Sequence, residues 1–368
     1  MRPVPTVTVV VPTAGRVALT RSCLESIQMA SASDGVQVET LLVDSSSTLE
    51  QTQLQAICAK LGVEFLSGPP SVSEKRNLGA QQARTEHVMF VDSDCVVGPG
   101  CFSAHIATLR EPAVHASQGT ILFRGLERLT FRAVRCSGIL NAFLPPSGQT
   151  IRAVASGNLM VRRAPFLAVR FDPRLGPPGL GGEDVDFGLR LSAHGFRIVG
   201  TPSAIVYHET VTWNTLRLNV GRFFSWGRAE AHLIERHPVM SYVDMPSPVV
   251  VALLLVMASV ITAVCWSWAA LLALPLGFLS HAAFMTVAGA RHHPKDRLGG
   301  ALGHWVFFVL DLGRVWESFW QARPHAALKR IRFAEDQVTQ EWCDLVPASW
   351  SVWLMVLVGI VSIWWAVQ

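Results

Sequence analysis

Hydrophobic and polar positions change rhythm twice along this chain. In the first half, short apolar runs rich in β-branched residues alternate with stretches of helical spacing. Thr6 to Val11 is one such run, stopped by Pro12, and reads as a buried parallel strand. Val17 to Met29 follows as a helix, with Leu19, Cys23 and Ile27 on one face. Glu39 to Val43 is a second strand ending in Asp44, Leu49 to Leu61 a second helix, and Val63 to Leu66 a third strand. Ser73 to Arg84 reads as a helix and His87 to Val91 as a fourth strand running into Asp92. This alternation predicts an α/β fold, a mostly parallel sheet covered by helices on both faces. Ligands of open sheets bind beyond the carboxyl ends of the strands. Pro12-Thr13, Asp44-Ser45 and Asp92-Ser93-Asp94 all fall at those ends, so three strand tips predict one cleft.

The second half reads differently. From Pro246 to Ala290 there is no Asp, Glu, Lys or Arg, and a further apolar block runs from Trp350 to Val367. One helix of the first block's length would reach about 67 Å at ~1.5 Å per residue, roughly twice a ~30 Å hydrocarbon core. Two crossings fit, turning near Trp266-Ser267-Trp268, where indoles suit the interface. The return loop carries Arg291, His292, His293, Lys295 and Arg297, which the positive-inside rule places in the cytoplasm. Leu302 to Trp320 is apolar but holds Asp311, Arg314 and Glu317, with Arg323, Lys329, Arg330 and Arg332 after it. An interfacial amphipathic helix is expected there, and a third crossing at Trp350 to Val367. Ahead of the crossings, Trp213 to Arg236 places Leu216, Val220, Phe223, Phe224 and Ile234 at helical spacing beside Arg217, Arg222, Arg228 and Arg236. Such a helix lies on anionic headgroups or packs in a core, and the pattern alone weighs the two equally.

Composition sharpens this division. Half of the 368 residues are hydrophobic and 16% are charged, low for a soluble protein. A net charge of +4 is too small to imply nucleic acid. The seven cysteines form no C-x-x-C pair and suit a reduced compartment, with Cys95 and Cys101 expected to be packing residues. The N-terminal apolar run, Val7 to Val11, is too short for a signal peptide. A multi-pass protein of the cell (inner) membrane with its large domain in the cytoplasm is expected. The expected organisation is a catalytic domain over 1–212 and a connecting helix over 213–245. A two-helix hairpin over 246–290, an interfacial segment over 291–349 and a last crossing over 350–368 complete it.

Two constellations carry candidate chemistry. Asp92-Ser93-Asp94, at the tip of a buried strand, can turn two carboxylates into one cleft, where oxygen ligands hold Mg²⁺ or Mn²⁺. A nucleotide diphosphate leaving group calls for such a cation, although Asp and Ser also favour ordinary turns. Gly181-Gly182-Glu183-Asp184-Val185-Asp186-Phe187-Gly188-Leu189-Arg190-Leu191 leads from flexible glycines into an acidic helix start. The helix dipole favours carboxylates there. The glycine-rich approach from Gly176 reads as a mobile loop beside a site, and points to a carboxylate acting as general base.

In order along the chain stand Val9-Val10-Val11-Pro12-Thr13-Ala14-Gly15-Arg16, Leu42-Val43-Asp44-Ser45-Ser46-Ser47 and Lys75-Arg76-Asn77-Leu78-Gly79. Phe90-Val91-Asp92-Ser93-Asp94, Ser156-Gly157-Asn158-Leu159 and Gly182-Glu183-Asp184-Val185-Asp186 follow. From about Thr6 to His208 this succession resembles family 2 glycosyltransferases, which implies the GT-A fold and inversion at the anomeric centre. The resemblance implies that Pro12, Thr13 and Asp44 line a base and ribose pocket and that Arg16, Arg76 and Asn77 lie near the donor. It implies that Asp92 reaches the ribose or the metal, that Asp94 ligates the metal, and that Gly157 and Asn158 form the sugar-side wall. Asp184 would be the base and Glu183 would orient substrate. His208 looks like the metal-binding histidine some relatives place after this domain, against the commoner structural role of a lone His. Arg222-Phe223-Phe224-Ser225-Trp226-Gly227-Arg228 also resembles a membrane-bound branch that includes mycofactocin-type glycosyltransferases.

Two departures stand out. A single Asp44 followed by three serines replaces the family's acidic pair, and Lys75 replaces a small residue. Lys75 can face a pyrophosphate or solvent. The expected partners are a UDP- or GDP-linked sugar donor and a lipid-linked or membrane-associated acceptor. A sugar-phosphate nucleotidyltransferase would need a glycine-rich, lysine-containing loop after the first strand, which Pro12-Thr13-Ala14-Gly15-Arg16 does not supply. A non-catalytic scaffold would have no need of Asp92, Asp94 and Asp184. Transport would call for intramembrane charges that the apolar blocks lack.

Overall fold

The computed structural model describes residues 6–176, 180–243, 247–332 and 346–368. Of the Gly/Pro-rich stretch read as a mobile loop, 177–179 lie outside the described residues, as does 246 at the start of the apolar block. The chain forms two compact units, one from the described residues of Met1–Leu126 with Asn141–Thr212, the other from those of Glu127–Leu140 with Trp213–Gln368.

The first unit holds a nine-stranded sheet. Its strands are β1 (Thr6–Thr13), β2 (Gln37–Asp44), β3 (Glu64–Ser67), β4 (His87–Val91), β5 (Cys95–Val97), β6 (Val114–Arg124), β7 (Thr150–Ile151), β8 (Asn158–Arg162) and β9 (Arg197–Glu209). The order is β3-β2-β1-β4-β8-β6-β9-β5, with β7 on β9. Strands β1 to β4, β6 and β9 run one way, while β8, β5 and β7 run against them. Thr13 pairs with Asp44, and Val10 with Phe90, so the tips of β1, β2 and β4 open at one edge as the sequence predicted.

Strand alternation builds a core on each face. Val7, Val9, Val11, Met89 and Val91 face α1 (Val17–Asp34), α2 (Thr48–Leu61) and α4 (Cys101–Leu109). Val10, Val88 and Phe90 face α3 (Val72–Gln82), α6 (Arg163–Val169) and α7 (Glu183–Ala193). There Phe90, Phe166, Phe171 and Phe187 form a ring cluster, with Phe171 and Phe187 centroids 4.6 Å apart. This cluster seats the start of α7, and hence Glu183 and Asp184, beside the β4 tip.

A buried polar network ties the middle of the sheet to α4. His105 Nε2 lies 2.9 Å from Asn158 Oδ1 and its Nδ1 lies 2.7 Å from Ser117 Oγ, which in turn meets Thr201 Oγ1 at 2.7 Å. Asn158 Nδ2 donates to the carbonyls of Thr120 and Ala204. Burial lowers the His105 pKa to about 4, so the neutral ring donates from Nε2 and accepts at Nδ1. Asn158 is fully buried with its amide engaged at both ends. Asn158, expected with Gly157 in the sugar-side wall, uses its side chain to pin β8 to β6 and β9.

The second unit contains α5 (Leu129–Cys136), α8 (Leu216–Arg236), α9 (Pro248–Cys265), α10 (Ala273–His292), α11 (Arg297–Trp320) and α12 (Val346–Val367). A two-stranded ribbon of β10 (Ser241–Val243) and β11 (Lys329–Ile331) completes it. Glu127–Leu140, which sequence placed inside the 1–212 domain, belongs here. Arg132 and Arg135 of α5 grip Asp296, which caps α11 and whose carboxyl they hold well below the usual range. Among the described residues, three helices are long and apolar enough to cross a membrane, Pro248–Cys265, Trp268–His292 and Trp350–Val367.

Helix α11 carries its charges inward. Asp311, Arg314 and Glu317 are each at most 3% exposed, whereas Leu312, Trp316, Phe319 and Trp320 are open. Asp311 Oδ1 accepts from Arg314 Nη2 and from Arg330 Nη2, both at 2.8 Å. Glu317 accepts from Arg228 Nε at 2.6 Å and lies 3.0 Å from His232 Nε2. Arg228 of α8 is thus committed to Glu317, and Arg222 stacks 3.7 Å over Trp213. Of the two settings that the pattern left open, headgroups or a protein core, these two arginines take protein partners. The α8–α11 crossing is close enough that a Cβ on Gly227 would lie 1.8 Å from the Leu310 carbonyl.

Two stability predictions follow from these buried contacts. Asn158→Ala strands two carbonyls and His105, which corresponds to a loss of about 3 kcal/mol. Asn158→Asp, which aims a carboxylate at the same carbonyls, is expected to lose at least as much. Asp311→Ala removes the closer of the two carboxylates that Arg314 and Arg330 share and leaves them Glu230 at 3.4 and 3.8 Å, at about 3 kcal/mol. Thermal unfolding of the detergent-solubilised full chain reads each as a lowered midpoint, and an unchanged midpoint would refute the corresponding network.

Candidate active site

The site forms where three strand tips meet the start of α7. Pro12 and Thr13 close β1 and are buried, with Thr13 Oγ1 3.1 Å from Thr20 Oγ1. The chain then turns through two left-handed residues, Gly15 at φ 70° and Arg16 at φ 57°. Gly15 N–H donates to Ser46 Oγ at 2.6 Å, which links the β1 loop to the β2 loop. Asp44 is fully buried and its carboxylate accepts from the backbone and hydroxyl of Ser46. It therefore supports the β2 loop, which Ser46 in turn ties to the β1 loop.

Helix α3 delivers three polar side chains to this edge. Lys75 is 3% exposed and donates from Nζ to the Thr13 carbonyl at 2.7 Å. Burial pulls its pKa down to about 8. Of the two environments open to it from sequence, pyrophosphate or solvent, it adopts neither and braces β1 instead. Arg76 is buried and bridges two elements, donating to Asp92 Oδ1 and to Glu183 Oε1, each at 2.8 Å. Asn77 exchanges hydrogen bonds with the Phe171 backbone in both directions. The amide, expected near the donor, holds the Phe171 segment against α3.

The two aspartates after β4 face different partners. Asp92 meets Arg76 on one oxygen, and its Oδ2 lies 3.1 Å from where a Cβ on Gly157 would stand. Gly157 lets β8 approach that carboxylate closely. Asp94 is almost wholly buried, with Oδ2 2.7 Å from Arg16 Nη1 and Oδ1 3.3 Å from His208 Nε2. Ligand atoms of Asp94, Cys95 and His208 lie within 4.8 Å of one another. Burial, reinforced by Asp94 and Asp92, raises the Cys95 thiol well above its ordinary range and keeps it protonated. The donor set that fits a hard divalent cation is then the Asp94 carboxylate with the His208 imidazole. Asp92 lies outside that group, its carboxylate turned toward Arg76. His208 is positioned by antiparallel pairing with Cys95 and by stacking on Phe123, centroids 5.4 Å apart.

At the start of α7, Gly182 adopts φ 76° and Glu183 and Asp184 follow. Glu183 is buried against Arg76, while Asp184 stays part-open. Burial and the adjacent Glu183 charge push the Asp184 carboxyl up to about 7, against the opposing pull of Arg76. Its Oδ1 accepts from Val185 N–H at 2.9 Å and its Oδ2 from Ser156 N–H at 3.4 Å, so it is oriented by backbone alone. Asp186 is spent on Arg190 at 2.7 Å, one turn later. Ser46, Lys75 and Phe171 are supports that motif reading did not assign. The only sequence signals for them were the serine run and the charge ahead of Arg76.

Comparison with known proteins supplies the remaining link. No curated protein matches the chain. Among solved structures it is similar to TarS of S. aureus at 17% identity with a TM-score of 0.40, covering 63% of this chain and 43% of that one. The chain thus spans less than half the length of TarS. A family model described as Glycosyltransferase like family 2 matches residues 5–229. That match takes in every strand of the large sheet and each residue of the site described above, and the chain belongs to the family 2 glycosyltransferases.

Proposed function

We propose that the chain is an inverting, metal-dependent glycosyltransferase that moves a sugar from a UDP- or GDP-linked donor to a hydroxyl of a membrane-associated, lipid-linked acceptor. The observation that carries this reading is the placement of Asp184, a part-open carboxyl raised to about 7 beside the fixed Arg76–Glu183 pair. A general base is most effective with its pKa near the working pH. In the proposed step Asp184 takes the acceptor hydroxyl proton as that oxygen bonds to the anomeric carbon. The bond to the diphosphate breaks on the opposite side, and the nucleoside diphosphate leaves with the electron pair. Glu183, locked by Arg76, orients the substrate, and Asp92 offers its outward oxygen to the donor ribose. Bound by Asp94 and His208, Mg²⁺ or Mn²⁺ would neutralise charge developing on the diphosphate. Positioning and fixed charge supply most of the rate gain.

The acceptor follows from the second unit. Three helices apolar enough to cross a membrane share the chain with the catalytic domain. Arg291, Lys295 and Arg297 follow the second, which supports a cytoplasmic catalytic domain in an inner membrane.

Asp184→Asn is expected to lower kcat by about 10²–10⁴-fold with the melting temperature preserved. Released nucleoside diphosphate from a panel of UDP- and GDP-sugars, with Mn²⁺ and membrane-lipid extract, reads the effect. Retention of more than a tenth of wild-type kcat would place the base elsewhere. Because the carboxyl must be ionised to accept a proton, wild-type kcat should rise with pH through a midpoint near 7. Glu183→Gln removes the neighbouring charge that raises Asp184, so its midpoint should move to lower pH. A midpoint that stays put would show that Glu183 does not tune the base.

A further inference from the structure

The contact between Arg16 and Asp94 has a use of its own, given the metal-binding reading proposed above. Asp94 has two oxygens and both are engaged, Oδ2 by Arg16 Nη1 at 2.7 Å and Oδ1 by His208 Nε2 at 3.3 Å. Cation ligation at Asp94 and His208 therefore sets a divalent ion against the Arg16 guanidinium for one carboxylate. The two partners of the ion pair differ in freedom. The Asp94 side chain is 6% exposed and the Arg16 side chain 48%. Any exchange moves the arginine.

Where Arg16 goes is limited by its backbone. It follows Gly15 in a left-handed turn, φ 57° and ψ 40°, at the tip of β1 and directly ahead of α1. The loop is tied to the β2 loop through Gly15 N–H and Ser46 Oγ. A long guanidinium side chain anchored there can pivot between the Asp94 carboxylate and an anion lying across the β1 and β4 tips. A diphosphate is an anion that the planar guanidinium fork can meet with paired hydrogen bonds.

We infer that Arg16 is a positioning and specificity residue that couples the cation to the nucleotide. It covers Asp94 until a diphosphate draws it away, which frees the carboxylate for the ion at the moment the diphosphate needs one. Ion and nucleoside diphosphate then bind together far better than the ion binds alone. By linkage, each raises the affinity of the other by the same factor. The device discriminates against monophosphates, which offer Arg16 one anionic group fewer and release Asp94 less completely.

The test measures metal binding directly, on the detergent-solubilised full chain, with no turnover required. Mn²⁺ is titrated and the free ion followed by electron paramagnetic resonance, alone and with saturating UDP or GDP. Arg16→Gly and Arg16→Asn remove the charge with residues that accept a left-handed backbone, and Asp94→Asn removes the proposed ligand. Wild type should bind Mn²⁺ at least tenfold tighter with the diphosphate than without it, and UMP or GMP should give less than a third of that enhancement. Both Arg16 variants should bind Mn²⁺ alone at least threefold tighter than wild type and lose most of the enhancement. If Asp94→Asn abolishes binding while the Arg16 variants bind Mn²⁺ alone no tighter than wild type, the inference is overturned and the metal-binding reading stands. If wild type and both Arg16 variants bind no Mn²⁺ with or without nucleotide, the metal-binding reading falls and takes the inference with it.

Discussion

One buried guanidinium organises the catalytic edge of this domain. Arg76 reaches from α3 to Asp92 at the end of β4 and to Glu183 at the start of α7, two points far apart in sequence. Removing such a charge from water carries a large desolvation cost, recovered only when its partners are fixed and close. Both carboxylates meet that condition, and the Phe171 ring lies 5.4 Å from the guanidinium carbon. The same cation lowers the Asp184 pKa while Glu183 and burial raise it, so the balance near 7 depends on where Arg76 sits. One side chain therefore joins the packing of α3, β4 and α7 to the electrostatics of Asp184.

The two aspartates of Asp92-Ser93-Asp94 divide their work because the chain turns between them. Asp92 continues the line of β4 and meets α3. Asp94 precedes β5, whose antiparallel pairing with β9 brings Cys95 opposite His208. A motif that reads as one cation site in sequence becomes two neighbouring electrostatic positions. One is tied to Arg76 and through it to Glu183, the other to Arg16 and His208. Ser93 is the short link that lets both carboxylates reach the cleft without sharing a partner.

How much of this was legible in the sequence depends on the range of the forces involved. Strands β1, β2 and β4 were plain from runs of β-branched residues, and the cleft followed from where those runs stop. The carboxylates Asp92, Asp94, Glu183 and Asp184 stood out because acidic pairs beside glycine or at strand tips are uncommon. Asn77 and Asn158 looked equally functional, yet their hydrogen-bond partners lie at Phe171 and at His105, Thr120 and Ala204. Nothing local distinguishes an amide that faces a ligand from one that closes a long-range backbone gap. Lys75 makes the same point: its charge suited a pyrophosphate or solvent, and its position under Thr13 gives it a carbonyl. Glu127–Leu140 groups with the second unit for a related reason, since Arg132 and Arg135 reach a partner, Asp296, far along the chain.

Helix α11 buries its charged residues and leaves several large apolar ones open, which shows why the sequence pattern was ambiguous. A helix with Asp311, Arg314 and Glu317 among leucines and tryptophans reads as amphipathic whichever face meets protein. Here the charged face meets α8 and β11, where Arg228, Glu230 and Arg330 complete the pairs. The apolar face is left open. In water that arrangement would be costly twice, once for the buried charges and again for the exposed indoles. Against an apolar medium the cost of exposure disappears, and pairing the charges inward is the arrangement such a medium demands. The buried ions of α11 and the exposed tryptophans therefore favour the same environment, on grounds independent of the hydropathy of α9, α10 and α12.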